Sequence, residues 1–184
     1  MNAALAQAAQ APSAPITTAD GLVIYPERLY RGLAKLSATG DHLAADAMDH
    51  AVVYDPQTGL MEAVRAPGFD NQLSHDDATA LAAQLTFAGF SDWQLPDVPE
   101  AIHSVDYTRE DPAADTSLYP DAVSYWHWTR QQTAWSKDEA GSSRSFFYVF
   151  VYGGFVYYGY ADLQLRARPV RRAAPASQCL VIGQ

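Results

Sequence analysis

Over residues 146–160 aromatic side chains recur at short spacing, and the chemistry they offer is noncovalent recognition. On an extended chain successive residues face opposite ways. Phe147, Val149 and Val151 therefore share one side, and Tyr148, Phe150 and Tyr152 share the other. A strand with one face in the core shows polar residues on its second face. Here that face carries three large aromatics, and Phe155, Tyr157 and Tyr160 follow beyond Gly153-Gly154. Tyrosine gives wide contact area with little rotamer entropy to lose, and its hydroxyl can hydrogen-bond a ligand. Tyr148, Phe150, Tyr152, Phe155, Tyr157 and Tyr160, with Trp126 and Trp135 nearby, are the candidate ligand-binding residues. The competing arrangement buries both faces, one under helices and one under the loop bearing Trp126 and Trp128.

Bond-making chemistry has less to work with. His42, His50, His75, His103 and His127 are scattered, and no Cys/His group has zinc-ligand spacing. His42 and Asp46 would face each other only on a helix, and His75-Asp76-Asp77 reads as an acidic first helical turn. Asp106, Glu110, Asp111 and Asp115 lack a calcium-loop signature. Neither a glycine-rich phosphate loop nor a Ser/His/Asp signature is present. No catalytic residue, metal or cofactor is therefore expected. Asp121 and Arg130 are candidates for the rim of a ligand site, while Trp93 and Trp128 read as core anchors.

The net charge of −9 and pI near 4.8 argue against nucleic acid or an anionic membrane surface as a partner. The charge is uneven. From residue 140 onward Asp162 is the sole acid against five arginines, giving +4 and leaving −13 for residues 1–139. Pairing of this basic end with the acidic body is the first expectation. Cys179 is the only cysteine, which excludes an intrachain disulfide. No apolar run is long enough to span a bilayer, so membrane insertion is not expected. Residues 1–15 lack the charged start of a secretory signal, although the AQA steps would suit a cleavage site.

These side chains need elements to hold them. Residues 1–20 read as a flexible leader, 21–173 as a single domain and 174–184 as a tail. Strand candidates cover 22–25 and 51–54, the second followed by the turn Asp55-Pro56-Gln57-Thr58-Gly59. Leu29, Leu33 and Leu36 predict a helix over 27–36, with Gly32 against it. Ser74 predicts the cap of a helix whose Ala78, Leu81, Ala82 and Leu85 share one face. Asp97 and Glu100 have capping-box spacing, ahead of an inward stripe of Val98, Ala101, Ile102 and Val105. Residues 112–135 read as irregular and aromatic. Residues 145–152 and 155–160 read as hairpin strands turning at Gly153-Gly154, and 166–172 as a last strand. Few helices and several late strands predict an α+β domain.

Residues 52–172 resemble the Lcl C-terminal domain family. Its strand followed by D-x-x-TGLMW is matched by Val52-Val53-Tyr54-Asp55-Pro56-Gln57-Thr58-Gly59-Leu60-Met61. Its GYSDWRLP motif and helical Glu are matched by Gly89-Phe90-Ser91-Asp92-Trp93-Gln94-Leu95-Pro96 and Glu100. Val105-Asp106-Tyr107, Pro112, Asp115-Thr116, Tyr119-Pro120, Trp128-Thr129 and Ala167-Arg168-Pro169-Val170-Arg171 follow in the family's order. The departures are Glu62 for Trp, Gln94 for Arg and Ala167 for Val.

The resemblance implies a C-type-lectin-like fold, related to that of formylglycine-generating enzymes, with two helices, a mainly antiparallel sheet and irregular aromatic loops. Enzymes of that fold use a copper-binding cysteine pair, which Cys179 alone cannot supply, so a non-enzymatic binding protein is implied. Many members resemble variable proteins of diversity-generating retroelements, which randomise template adenines. Codons of the AAY type never become Lys, Gln, Glu, Met or Trp under that process, and residues 141–163 contain none of these. The expected partner is a protein or glycan ligand on a cell surface, with a cell-surface, secreted or phage-associated location favoured. A structural surface or tail-fibre module, with the ribbon buried in an oligomer, is the alternative.

Overall fold

The computed structural model describes residues 14–135, 145–150 and 153–173, and of Phe150 the backbone only. β1 (Ile16–Thr17) pairs antiparallel with β2 (Val23–Ile24), setting Ile16 opposite Ile24. Thr18 closes the turn between them by accepting the Leu22 N–H on Oγ1 at 3.0 Å. Asp20 receives Nη2 of Arg171, also at 3.0 Å. These contacts join residues 16–20 to the rest of the described chain.

The helix expected over 27–36 does not form. Pro26–Arg28 makes a single 3-10 turn, and Arg31 and Gly32 then take φ of 53° and 84°. Two successive left-handed residues cannot continue a right-handed helix. Tyr30 and Leu33 instead close a tight turn through mutual backbone bonds, and the chain enters β3 (Ala34–Leu36).

β3 pairs antiparallel with β4 (Val52–Tyr54), and β4 with β5 (Leu60–Ala63); all their residues are buried. Asp55 shapes the β4–β5 turn by accepting the Gln57 N–H at 2.8 Å and the Thr58 hydroxyl at 2.7 Å.

α1 (His75–Gln84) is capped by Ser74, whose Oγ accepts the Asp77 N–H at 3.2 Å. Ala78 and Ala82 are buried from it as the periodicity predicts. α2 (Val98–Ile102) carries the predicted capping box, with both reciprocal bonds present at 2.8 and 2.9 Å. Its apolar stripe is only half-buried, and Glu100 is the buried member. Oε1 of Glu100 receives Nε of Arg172 at 2.9 Å, so an ion pair sets the inward side of this helix.

A second sheet holds β6 (Trp126–Gln132), β7 (Ser145–Phe150) and β8 (Phe155–Tyr160), antiparallel and in that order. β6 falls where irregular chain was expected. His127, Trp128 and Thr129 are all buried, so the strand has no polar–apolar alternation to betray it. Trp128 is a core anchor, fully buried, and its Nε1 donates to the Leu73 carbonyl at 2.9 Å. Trp93 is one too, donating to the Phe87 carbonyl at 3.1 Å.

The strand expected over 166–172 divides between the sheets. Arg166 runs beside β6, accepting from Trp128 and donating to Trp126. Four residues on, β9 (Val170–Arg172) pairs with β5 and completes the first sheet as β3-β4-β5-β9. This crossing carries the basic end, and three of its arginines pair internally. Arg168 grips both oxygens of Asp121 at 3.0 Å, Arg171 grips Asp92 and Asp20, and Arg172 holds Glu100. Among the described residues the architecture is α+β, with two α-helices and antiparallel sheets.

Candidate functional site

The register of the second sheet sorts its aromatic residues onto two faces. Trp128 lies opposite Tyr148, and Tyr148 opposite Tyr157. On this face the Trp126 ring stands edge-on to Tyr148 and to Tyr157, each 4.9 Å away, while Tyr148 and Tyr157 stack at 6.5 Å. Phe155 continues the row, 6.5 Å from Tyr157. Four of the expected site residues are therefore brought together.

The row is graded in depth. Phe146 is buried and stacks on His75 with ring centroids 3.4 Å apart. Tyr148 and Trp126 are half-buried. Phe155 and Tyr157 are 54% and 50% exposed. Burial raises the Tyr148 hydroxyl pKa, with the nearby Tyr157 adding to it, so this phenol stays a hydrogen-bond donor. Its ring lies over Gly159, where a Cβ would fall 3.0 Å from Tyr148 Cε1 and 2.5 Å from Leu163 Cδ1. Phe155 and Tyr157 thus rest on a floor anchored in the core, which restricts their rotamers.

The opposite face holds two more of them. Trp135 stands edge-on to Phe147 at 6.0 Å and to Tyr158 at 5.2 Å. Tyr160 alternates with Tyr158 onto this side, and all of Trp135, Tyr158 and Tyr160 are exposed. Trp135 and Tyr160 therefore do not share a surface with Tyr157. The spacing of three between Tyr157 and Tyr160 already carried that signal. Tyr158 and Phe147 join this second cluster, Phe147 being half-buried instead of a full core residue; Val149 is buried as expected. The Phe150 backbone lies opposite Trp126 and Phe155, and Tyr152 lies outside the described residues.

Among the described residues β8 pairs only with β7, which leaves its outer edge open. The hairpin end is braced from behind by the segment following α2. The Tyr107 hydroxyl donates to the Gly154 carbonyl at 3.3 Å.

A buried ionic cluster lies between α2 and the first sheet, at the position where the resemblance departs from its pattern. Glu62 receives the Tyr119 hydroxyl at 2.8 Å and contacts His103 Nδ1 at 2.8 Å. His103 Nε2 lies 3.3 Å from Asp55, and Arg168 Nη1 lies 3.8 Å from Glu62. The hydrogen bond with Glu62 is the chief reason that the His103 pKa is raised. Burial drives the Tyr119 pKa well upward, so that phenol stays protonated. These groups satisfy one another and tie α2 to β4 and β5.

The other sequence candidates are structural. Asp121 is held by Arg168, and Arg130 by Asp97 and Glu100. His42 is not on a helix with Asp46; its Nδ1 accepts the Tyr25 N–H at 2.9 Å. Asp106 and Asp115 pair with Arg31 and Arg109.

The family model of the Lcl C-terminal domain matches residues 51–171. No curated protein and no solved structure gives a significant match.

Proposed function

The chain belongs to the Lcl C-terminal domain family, and from that premise we propose that it is a ligand-binding module of C-type-lectin-like fold. It uses the Trp126–Tyr148–Tyr157–Phe155 face to engage a protein or glycan, in the manner of a cell-surface or phage-borne adhesin. The observation that carries this reading is the exposure of Phe155 and Tyr157 over a floor of half-buried aromatic rings. An uncovered aromatic row of this kind is an uncommon feature of a surface without a partner. Among the described residues the face offers aromatic anchors and hydroxyls, a composition suited to binding.

The two faces of β8 also suit diversification by a retroelement. Tyr157, Tyr158 and Tyr160 are exposed on a backbone held by β7, so their replacement leaves the core intact. Two measurements test the reading. A glycan array and a display screen against host surface proteins should yield a ligand that Tyr157→Ala loses. Sequencing of the locus in sibling isolates should show changes concentrated in the codons for residues 148–160, beside a near-identical template. A ligand that binds Tyr157→Ala equally well removes the face from the site.

One observation favours a second reading. β8 contains no charge and no proline, the devices that normally protect an open edge. A structural module would cover that edge in an oligomer. Gel filtration showing a stable oligomer in which Tyr157 is protected from modification would select it.

A further inference from the structure

A cleft of about 470 Å3 opens between residues 63–70 and 120–127, away from the Tyr157 row. Its size lies in the range of small-ligand sites, roughly 300–1,000 Å3. Val64, Phe69 and Val123 give it apolar walls.

Two polar side chains in its lining keep hydrogen-bonding capacity that the described residues leave unused. The first is Arg166, half-buried beside β6, whose backbone is bonded on both sides while its guanidinium meets no acceptor. The second is His127, a buried residue whose Nδ1 lies 3.2 Å from the Tyr125 carbonyl. A carbonyl can only accept, so Nδ1 carries the hydrogen and Nε2 is left as an acceptor. Burial, with Arg168 and Arg166 nearby, lowers the His127 pKa to about 3, so the ring is neutral at ordinary pH.

The acids of the lining are already occupied or peripheral. Asp121 is held by Nε and Nη2 of Arg168, and Asp70 is exposed at the mouth with Asn71 donating to it at 3.3 Å. Arg65 adds a second guanidinium at the rim.

We propose that this cleft binds a sugar-sized hydroxycarboxylate, its carboxylate on Arg166 and a hydroxyl donating to His127 Nε2. Guanidinium and carboxylate match as donor and acceptor pairs, and the imidazole selects for a hydroxyl beside the acid. The apolar walls receive the carbon skeleton.

Titration of the whole chain with gluconate, followed by calorimetry or NMR, tests this. Glucose lacks the carboxylate and hexanoate lacks the hydroxyls. Gluconate should bind at least about tenfold more tightly than either, the range of one charge-assisted hydrogen bond. Arg166→Gln should weaken it about tenfold or more, and Val123→Trp, at the exposed rim, should block it by filling the cleft. Tyr157→Ala should leave it unchanged. No gluconate binding overturns the proposal, as does binding that survives both Arg166→Gln and Val123→Trp. Loss in Tyr157→Ala with retention in Arg166→Gln moves the ligand to the aromatic face and overturns it equally.

Discussion

Nδ1 of His103 lies 2.8 Å from Oε1 of Glu62, while its other nitrogen faces Asp55 at 3.3 Å. An imidazole between two carboxylates is held in its protonated form, and its pKa is raised. A raised folded-state pKa contributes stability that is complete below the ordinary value near 6.5. It is lost as pH rises through the folded value. The urea midpoint should therefore fall as pH climbs above about 6.5, and the slope should disappear in His103→Gln. Direct NMR titration of His103 should give a midpoint above 6.5; a midpoint below it would sink the assignment.

His127 predicts the opposite limb. Its folded pKa of about 3 lies below the ordinary value, so the unfolded chain takes up a proton that the folded chain refuses. Stability should decline as pH falls from about 6.5 toward 3. His42 and His50, also lowered by burial, act in the same direction. Replacing His127 with Leu should make the acid limb shallower without touching the alkaline one, as read by thermal unfolding at intervals of pH.

Glu62 is more consequential than its single charge suggests. Removing it leaves the Tyr119 hydroxyl, His103 and Arg168 without a shared acceptor in the interior. Breaking a buried ion pair from one side costs about 3–5 kcal/mol. Glu62→Ala should approach that loss in chemical denaturation. Glu62→Gln, which still accepts a hydrogen bond, should lose less, and His103→Gln combined with Glu62→Ala should cost less than the sum of the two.

Trp128 and Tyr157 belong to one aromatic row and should behave differently. Trp128 is fully buried, and truncation to Ala should cost about 3–5 kcal/mol. Tyr157 is half-exposed and adds an edge contact to Trp126, of the order of 0.5–1.5 kcal/mol. Tyr157→Ala should leave the melting temperature nearly intact and weaken ligand binding by more than about tenfold. Tyr148, touching both Trp126 and Trp128, lies between them, so its truncation mixes the two effects.

What the sequence revealed follows the range of each interaction. Ser74 and the Asp97–Glu100 pair cap helices within three residues, so local spacing was enough to find them. The Asp55–Thr58 turn was legible for the same reason. Residues 27–36 misled because three leucines fit a helical period while Arg31 and Gly32 adopt left-handed backbone. β6 was hidden because both its faces meet protein. The Glu62–His103–Asp55 cluster joins residues 41 and 48 positions apart, which only the packing of α2 against the first sheet brings together. The division of the aromatic residues between two faces was available from the period of two.

The hairpin that presents Phe155 and Tyr157 depends on Gly154 for a reason that can be measured. Its φ of 71° lies in the left-handed region, and a Cβ there would fall 2.6 Å from both Tyr107 Cε1 and Val105 Cγ1. Those side chains follow α2, so the hairpin end is seated on the segment that leaves the helix anchored by His103 and Glu100. Gly154→Ala meets both obstacles and should destabilise by about 1–3 kcal/mol. If sterics dominate, adding Tyr107→Ala should recover part of that loss, because it clears one of the two contacts. If backbone strain dominates, Gly154→Asn, which tolerates positive φ better than Ala, should be the less damaging single change. Hydrogen exchange of the β7–β8 amides would read the consequence where it matters. Faster exchange in Gly154→Ala, with α1 unaffected, would show that the seat under the hairpin holds the presenting strand in place.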